Sequence, residues 1–342
     1  MSVALNDKGD LEAAIESYKQ ALKIKPDYAQ AYNNMGNILK EKGDLKAAIE
    51  SYKKAIKIKP GYADPYNNMG IALNHKGDLE AAIESYKQAI KIKSDYAQAF
   101  NNMGNALKEK GDPEAAINSY KQALKIRPDY AQAYSNMGDA LKEKGDLDAA
   151  ISNYKKALKI KPDYAEAYNN MGLTLNDKGD LEAAIDCYKQ ALRIKPDYAV
   201  AYNNMGLTIN DKGDPETAID CYKQALRIKP DYAEAYCNMG NALKEKGDPE
   251  AAIDYYKQAL RIKPDYAEGY CYLGAALLLL KQTEQAIVSY EKAISLKKDL
   301  NPALSGLGNA LLKKGKHSEG LDKLRQSDGS ILFNIKSGLS IK

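Results

Sequence analysis

Residues 29–62 read AQAYNNMGNILKEKGDLKAAIESYKKAIKIKPGY, and nearly the same 34 letters return along the chain with no insertion between copies. One glycine marks the period, at Gly36, Gly70, Gly104, Gly138, Gly172, Gly206, Gly240, Gly274 and Gly308. A fixed period of this length indicates a solenoid of stacked units, each in contact with its neighbours. We therefore expect function on a long repeated surface and not in one deep cleft.

Each copy is predicted to form two helices. Apolar residues recur at helical spacing in both halves, at Tyr32, Met35 and Leu39 and again at Ile49, Tyr52 and Ile56. The halves separate at Gly43, and Pro60 ends the second one. Asp44 is placed to cap the second helix, and its equivalents are followed by proline in three copies, at Pro113, Pro215 and Pro249.

Small residues at Gly36, Ala48 and Ala55, large ones at Tyr32 and Tyr52, and a closing proline together resemble the tetratricopeptide repeat family. Tyrosine in place of the usual tryptophan is a common departure from that pattern. The resemblance covers residues 29–300 as eight copies, with an incomplete copy over 1–28, a degenerate one over 301–334, and a tail or the start of a missing domain over 335–342. It implies an all-α fold, a right-handed superhelical α-solenoid of helix-turn-helix repeats.

Within that family, the wording AYNNMGNALKEKGD is most similar to the repeats of O-linked N-acetylglucosamine transferase and of bacterial arrays. No glycosyltransferase domain follows in this sequence. The resemblance therefore implies a recognition scaffold for protein-protein interaction and no catalysis, and such a scaffold would suit the substrate-recruiting part of a larger protein.

A polar arc on the first helix is the candidate binding surface. A helical wheel places Gln30, Asn33, Asn34, Asn37, Lys40 and Glu41 on it, and in the proteins that this chain resembles the arc lines the concave groove. One position is asparagine in seven consecutive copies, at Asn34, Asn68, Asn102, Asn136, Asn170, Asn204 and Asn238, which we call the ladder asparagines. Asn37, Asn105 and Asn241 are further candidates on the same arc.

The ladder asparagines have three explanations. Asparagine in a helix costs roughly 0.6 kcal/mol relative to alanine, which favours a functional demand, and an amide that donates and accepts matches the backbone of an extended peptide. Recent duplication could have copied the residues without any such demand. The amides could also connect adjacent first helices and tie the array together, a role compatible with binding.

The charges of the arc predict the partner. No cluster of Lys or Arg stands where related proteins bind a terminal carboxylate, since the series at that place begins Gln30, Asp64, Gln98. Acidic residues such as Asp139 and Glu143 are only partly offset by lysines. The partner is thus expected to be a neutral or basic protein or peptide segment.

Two features near the ends suggest further contacts. Tyr272, Leu278 and Leu279 form an apolar groove end, over which residues 331–342 could fold as a plug unless they open another domain. The chain begins inside a first helix, which leaves a stacking face open. It is therefore either a fragment or capable of end-to-end self-association, and the alternative function is a self-assembling structural module.

Other classes of function lack support in the composition. With 50 Lys and Arg against 46 Asp and Glu, interspersed along the chain, no basic face for nucleic acid is indicated. There is no apolar run for a membrane span and no leader pattern, so a cytoplasmic location is expected. Two histidines and four cysteines, expected to be free thiols, offer neither a catalytic constellation nor a metal site. No cofactor is expected.

Overall fold

The computed structural model describes residues 10–328, 331–334 and 338–341, and this part of the chain holds 19 α-helices and two short strands. The helices are α1 Leu11–Ile24, α2 Ala29–Glu41, α3 Leu45–Ile58, α4 Ala63–His75, α5 Leu79–Ile92, α6 Ala97–Glu109, α7 Pro113–Ile126, α8 Ala131–Glu143, α9 Leu147–Ile160, α10 Ala165–Lys178, α11 Leu181–Ile194, α12 Ala199–Asp211, α13 Pro215–Ile228, α14 Ala233–Glu245, α15 Pro249–Ile262, α16 Ala267–Leu279, α17 Thr283–Leu296, α18 Asn301–Lys313 and α19 His317–Asp328. The strands are β1 Ile331–Asn334 and β2 Gly338–Ile341, which pair antiparallel with Ile331 opposite Ile341.

The chain divides into two compact units, Met1–Thr174 and Leu175–Lys342. The first holds α1 to α9 and most of α10, and the second holds the end of α10, α11 to α19 and both strands. Within each unit, a first helix packs closely on the second helix that follows it and on the one that precedes it, as α2 does on α3 and α1 and α14 does on α15 and α13. The predicted all-α solenoid of helix-turn-helix repeats is confirmed in both units.

The helix boundaries follow the predicted local chemistry. The Asp44 carboxylate accepts a hydrogen bond from the Ala47 N–H at 3.0 Å, which satisfies one of the free donors at the start of α3. Pro113, Pro215 and Pro249 each occupy the first position of a second helix, as predicted. The first helix α2 ends at Glu41, and Gly43 follows its cap residue Lys42 with a φ of +86°, a conformation that other residues adopt only with strain.

The core of each repeat is built on one tyrosine of the second helix. Tyr52, Tyr120 and Tyr154 are 0% exposed although they are among the largest side chains of the chain. The alanines on the same helix, Ala48 and Ala55, are equally buried. Small residues at these places let two helices approach closely while the tyrosine ring fills the space between them.

First helices form the inner row of each unit. Neighbouring first helices contact each other directly, as α2 does with α4 and α14 with α16, whereas second helices of the described residues form no comparably close pairs. Because the first helices are closer together, the surface that they present is the concave one. The incomplete copy predicted over 1–28 supplies α1, and its residues 1–9 lie outside the described part.

Candidate functional site

The ladder asparagines lie on the inner row of first helices, and most are partly exposed. Four of the amides donate to the residue that precedes the ladder position in the repeat before. The bonds run from Asn68 Nδ2 to Asn33 Oδ1, from Asn102 to Asn67 and from Asn136 to Asn101, each 3.0 Å long, and from Asn238 to Asn203 at 2.9 Å. The hypothesis that these amides connect adjacent first helices is thus confirmed.

The acceptor residues of these bonds are buried. The helical wheel placed Asn33 on the groove-lining arc, and this part of the prediction is wrong, because Asn33 is 5% exposed and its equivalent Asn101 is 1% exposed. The first helix of the next repeat covers them. The Asn33 amide also donates to Asn34 Oδ1 at 3.5 Å, so the two residues form a short hydrogen-bonded chain between repeats.

One repeat boundary in the first unit uses a carboxylate instead. Ser135 replaces the usual asparagine acceptor, and Asn170 Nδ2 donates to Asp139 Oδ1 at 3.0 Å. The Tyr154 hydroxyl donates to the same oxygen at 2.7 Å, and Lys108 Nζ lies 4.0 Å from Asp139 Oδ2. Pockets that bind ligands usually measure roughly 300–1,000 Å³. Here the pocket measures 330 Å³ and is lined by Lys108, Asp139, Lys142, Glu143, Tyr154, Asn170 and Leu173.

The other candidate asparagines accept a hydrogen bond from a tyrosine of their own repeat. The Tyr52 hydroxyl donates to Asn37 Oδ1 at 2.9 Å, and the same bond joins Tyr120 to Asn105 at 2.7 Å and Tyr256 to Asn241 at 2.8 Å. Burial raises the pKa of these phenols, so they remain donors at every physiological pH. These amides therefore orient the core tyrosines while their N–H groups stay partly exposed.

Several acidic side chains of the inner row have partners within the chain, and two of these partners are lysines. Asp64 accepts a hydrogen bond from the Tyr96 hydroxyl at 2.9 Å. In the second unit, Lys263 contacts Glu234 at 3.3 Å and Lys297 contacts Glu268 at 2.8 Å. The groove is consequently less acidic than a count of its carboxylates indicates.

The predicted apolar groove end consists of residues in different environments. Tyr272 and Leu278 are partly buried and pack against the core of the second unit, and the Tyr272 ring lies 6.0 Å from that of Tyr256. Leu279 is 62% exposed. The side chains of residues 331–342, predicted as a possible plug for this place, lie outside the described residues.

The four cysteines, Cys187, Cys221, Cys237 and Cys271, are free and buried, which confirms the expectation of free thiols. Burial raises the pKa of Cys221 to about 11 and that of Cys237 to about 12. A thiol that stays protonated at neutral pH is a poor nucleophile. These side chains therefore act as small apolar fillers.

A row of aromatic side chains at the starts of the first helices did not enter the sequence prediction. Lys59 Nζ lies 5.5 Å from the ring centre of Tyr62, and the Arg127 guanidinium lies 3.4 Å from that of Tyr130. Such cation-π contacts stabilise by roughly 0.5–1 kcal/mol at exposed sites. The signal was present in the sequence, since a basic residue precedes a tyrosine by three positions at nearly every boundary.

Among the described residues, no group of three or more His, Cys, Asp or Glu side chains is arranged to hold a metal ion. No helix in the described ranges combines the length and the apolarity that a membrane crossing requires.

Solved structures provide the first comparison. A chain of the APC/C hetero-tetramer Cut9-Hcn1 superposes with a TM-score of 0.61 at 18% identity, covering 89% of this chain and 60% of that one. This likeness concerns the fold, and our chain spans 60% of the length of its neighbour. MamA matches at 31% identity over 48% of this chain and 97% of its own, with a TM-score of 0.44. YrrB, described as a TPR protein with an unusual peptide-binding site, has 24% identity and a TM-score of 0.44, covering 55% of this chain and 96% of its own.

Sequence models provide the second comparison, and a search of curated proteins gave no significant match. The model of the cilia and flagella-associated protein 70 C-terminal domain matches residues 85–299, which is more than half of the chain. Tetratricopeptide repeat models match residues 4–43, 36–77 and 63–96. The chain therefore belongs to the tetratricopeptide repeat family, whose helical scaffolds mediate protein-protein interaction.

Proposed function

We propose that the inner face of the first helices binds an extended, neutral or basic segment of a partner protein. The observation that supports this most strongly is that the bond between repeats leaves some donor and acceptor groups of a ladder amide available. Each amide has two N–H donors and two acceptor lone pairs. The bond from Asn102 to Asn67 uses one of those donors and leaves a donor and an acceptor on a partly exposed side chain.

An extended peptide presents alternating N–H and C=O groups along its length. A row of amides that repeats with the helical array can pair with these groups without reading the side chains between them. The bonds between repeats also hold each amide in one orientation, so less side-chain entropy is lost when a peptide binds. The structural role of the ladder thus favours the binding role. In a longer protein, the same face would recruit that protein's substrate.

The charge preference rests on the pocket around Asp139. Asp139 and Glu143 both contact Lys108, which lies 3.6 Å from Glu143 Oε1. A basic or neutral segment would consequently meet less repulsion than an acidic one of equal length.

Titration of designed peptides tests the proposal. Three fluorescein-labelled peptides of equal length are built from Ser, Gly and either Lys, Gln or Glu, without large apolar side chains, and their anisotropy is followed. We expect the Lys and Gln peptides to bind more tightly than the Glu peptide. A double variant of the protein, Asn102→Ala with Asn136→Ala, should bind the Lys and Gln peptides about tenfold more weakly, as expected for the loss of one to two hydrogen bonds.

The matched control changes two exposed lysines on second helices of the same unit, Lys87→Ala with Lys121→Ala. It should leave the affinities unchanged. Tighter binding of the Glu peptide, or an equal loss in both double variants, would contradict the proposal.

A further inference from the structure

One recurring ion pair joins neighbouring repeats at most repeat boundaries. A glutamate in the first turn of a second helix contacts the lysine that ends the first helix of the next repeat. The pairs are Glu12 with Lys42 at 2.8 Å, Glu80 with Lys110 at 3.2 Å, Glu114 with Lys144 at 2.6 Å, Glu182 with Lys212 at 2.9 Å and Glu284 with Lys314 at 3.5 Å. Each pair joins two neighbouring repeats.

The boundary between α3 and α5 lacks this pair. Lys46 stands where the other copies from α1 to α17 have Glu or Asp, so two lysines, Lys46 and Lys76, occupy the places of the pair. Neither forms an ion pair with a described residue, and α3 has no acidic residue in its first turn. Both the helix dipole and the second lysine disfavour a positive charge at this point.

Beneath these lysines lies a groove of 540 Å³ between α3 and α5, with α4 as its floor. Ile49, Met69 and Leu73 form the apolar part of its wall. On the rim, Lys53 is already bound to Glu50 at 2.9 Å. Two further carboxylates line the groove: Asp78 accepts from the Ala81 N–H at the start of α5, and Glu84 accepts from Gln88. The lysines of the rim without an ion pair are Lys46 and Lys76.

The second unit contains a comparable groove in which the ion pair is intact. It measures 380 Å³ and lies between α11 and α13, with Ile185 and Ile209 in its wall. Glu182 and Lys212 are joined across it at 2.9 Å. The two grooves have similar walls and differ in the charge at the mouth.

We propose that the groove at Lys46 and Lys76 is a docking site for an amphipathic partner helix that carries acidic side chains beside apolar ones. At most of the other boundaries, a carboxylate of the chain itself neutralises the lysine at this position. Here a partner carboxylate takes that place, and its apolar neighbour enters the groove against Ile49 and Leu73. The site lies between second helices, away from the inner row, and does not depend on peptide binding there.

The experiment uses a fluorescein-labelled, end-capped peptide composed of Leu and Glu. The residues are spaced so that the peptide, as a helix, has one apolar face and one acidic face. Binding to the full chain is followed by anisotropy at low salt. The variant Lys46→Glu restores the missing pair with Lys76. We expect its thermal midpoint to rise while its affinity for the peptide falls about five- to tenfold, since one attraction is replaced by a repulsion of similar size.

A reciprocal variant gives the matched control. Adding Glu182→Lys to the Lys46→Glu chain creates two facing lysines in the second unit, and we expect peptide binding to return there. The same peptide with Gln for Glu should bind weakly to every variant. Unchanged affinity in Lys46→Glu, or equal binding of the Gln peptide, would overturn the proposal.

Binding of the Leu-Glu peptide at this groove can be distinguished from peptide binding at the inner row of first helices. The Asn102→Ala and Asn136→Ala chain should bind the Leu-Glu peptide as the unchanged protein does. If it loses this peptide as well, the acidic helix occupies the inner row and the proposed outer site is wrong.

Discussion

Gly36 lies against the ring of Tyr52, so close that a Cβ added to the glycine would stand 2.5 Å from Cε1 of the ring. A Cβ added to Gly104 would stand at the same distance from Cε1 of Tyr120. Both rings are fully buried and have no space into which to move. The glycine that marks the sequence period is therefore required by the packing of two helices.

Replacement of Gly104 by alanine should destabilise the first unit by about 1–3 kcal/mol, the usual cost of adding an atom to a filled core. Urea unfolding followed by circular dichroism measures this change. Gly61 provides the control, since nothing lies within 4 Å of the place where its Cβ would stand. We expect Gly61→Ala to be neutral or stabilising by about 0.4–1 kcal/mol, because it restricts the unfolded chain. Equal losses in the two variants would refute the packing explanation.

The hydroxyl of the core tyrosine should matter only where it has an acceptor. Tyr120 donates to Asn105 Oδ1 at 2.7 Å, whereas Tyr86 has Ile71 at the equivalent place. Tyr120→Phe should lower the free energy of unfolding by about 1 kcal/mol, a typical value for one hydrogen bond, and Tyr86→Phe by clearly less. Chemical denaturation of the two variants provides the comparison. A larger loss for Tyr86→Phe would show that the bond to Asn105 does not stabilise the repeat.

The bond from Asn136 to Asn101 predicts coupling between neighbouring repeats. In a double-mutant cycle with alanine at both places, we expect a coupling energy of about 0.5–1.5 kcal/mol. Each single variant should also reduce the cooperativity of unfolding, because stability in repeat arrays depends on the contacts between units. Strictly additive effects of the two substitutions would indicate that this bond contributes nothing.

Alkaline pH should weaken the second unit before it affects the first. Burial raises the pKa of Cys221 and Cys271 to about 11 and that of Cys237 to about 12, whereas a thiol in the unfolded chain titrates near 8.5. Because the folded state holds these protons more tightly, their contribution is complete below about pH 8.5 and declines as the pH rises toward 11.

Thermal unfolding between pH 8 and pH 10 measures this decline. Other copies have serine at the place of Cys221. One of them is Ser51, whose hydroxyl donates to the Ala47 carbonyl at 3.0 Å. A chain with Cys221→Ser and Cys237→Ser should therefore lose less stability over that range. An identical pH dependence in both chains would exclude the thiols as its source.

Much of the fold follows from local chemistry that repeats. Asp44 as a cap, Pro113 at a first helical position and Gly43 at a helix end are each decided within a few residues, so a single copy of the repeat predicts them. The pairing of two helices follows from the small residues where they cross.

The site was harder to predict because its contacts join different repeats. A helical wheel describes one isolated helix, and it could not show that the next helix covers Asn33. The ladder bonds join residues 35 positions apart, as from Asn68 to Asn33, and the ion pair of Lys110 with Glu80 joins residues 30 apart. Asn170 donates to Asp139 because Ser135 stands where other copies have an asparagine acceptor, and this choice of acceptor depends on residues of both repeats. The residues that contact a peptide remain a prediction.

Site-specific photo-crosslinking tests most directly whether the inner row of first helices is the binding face. A photoreactive phenylalanine analogue is placed at Gln98 or Gln132, exposed positions on first helices, or at Lys87 or Lys121, exposed positions on second helices. After irradiation with the Lys peptide, mass spectrometry should find crosslinks at positions 98 and 132 and none at 87 and 121. Crosslinks confined to the second-helix positions would contradict the assignment of the inner face.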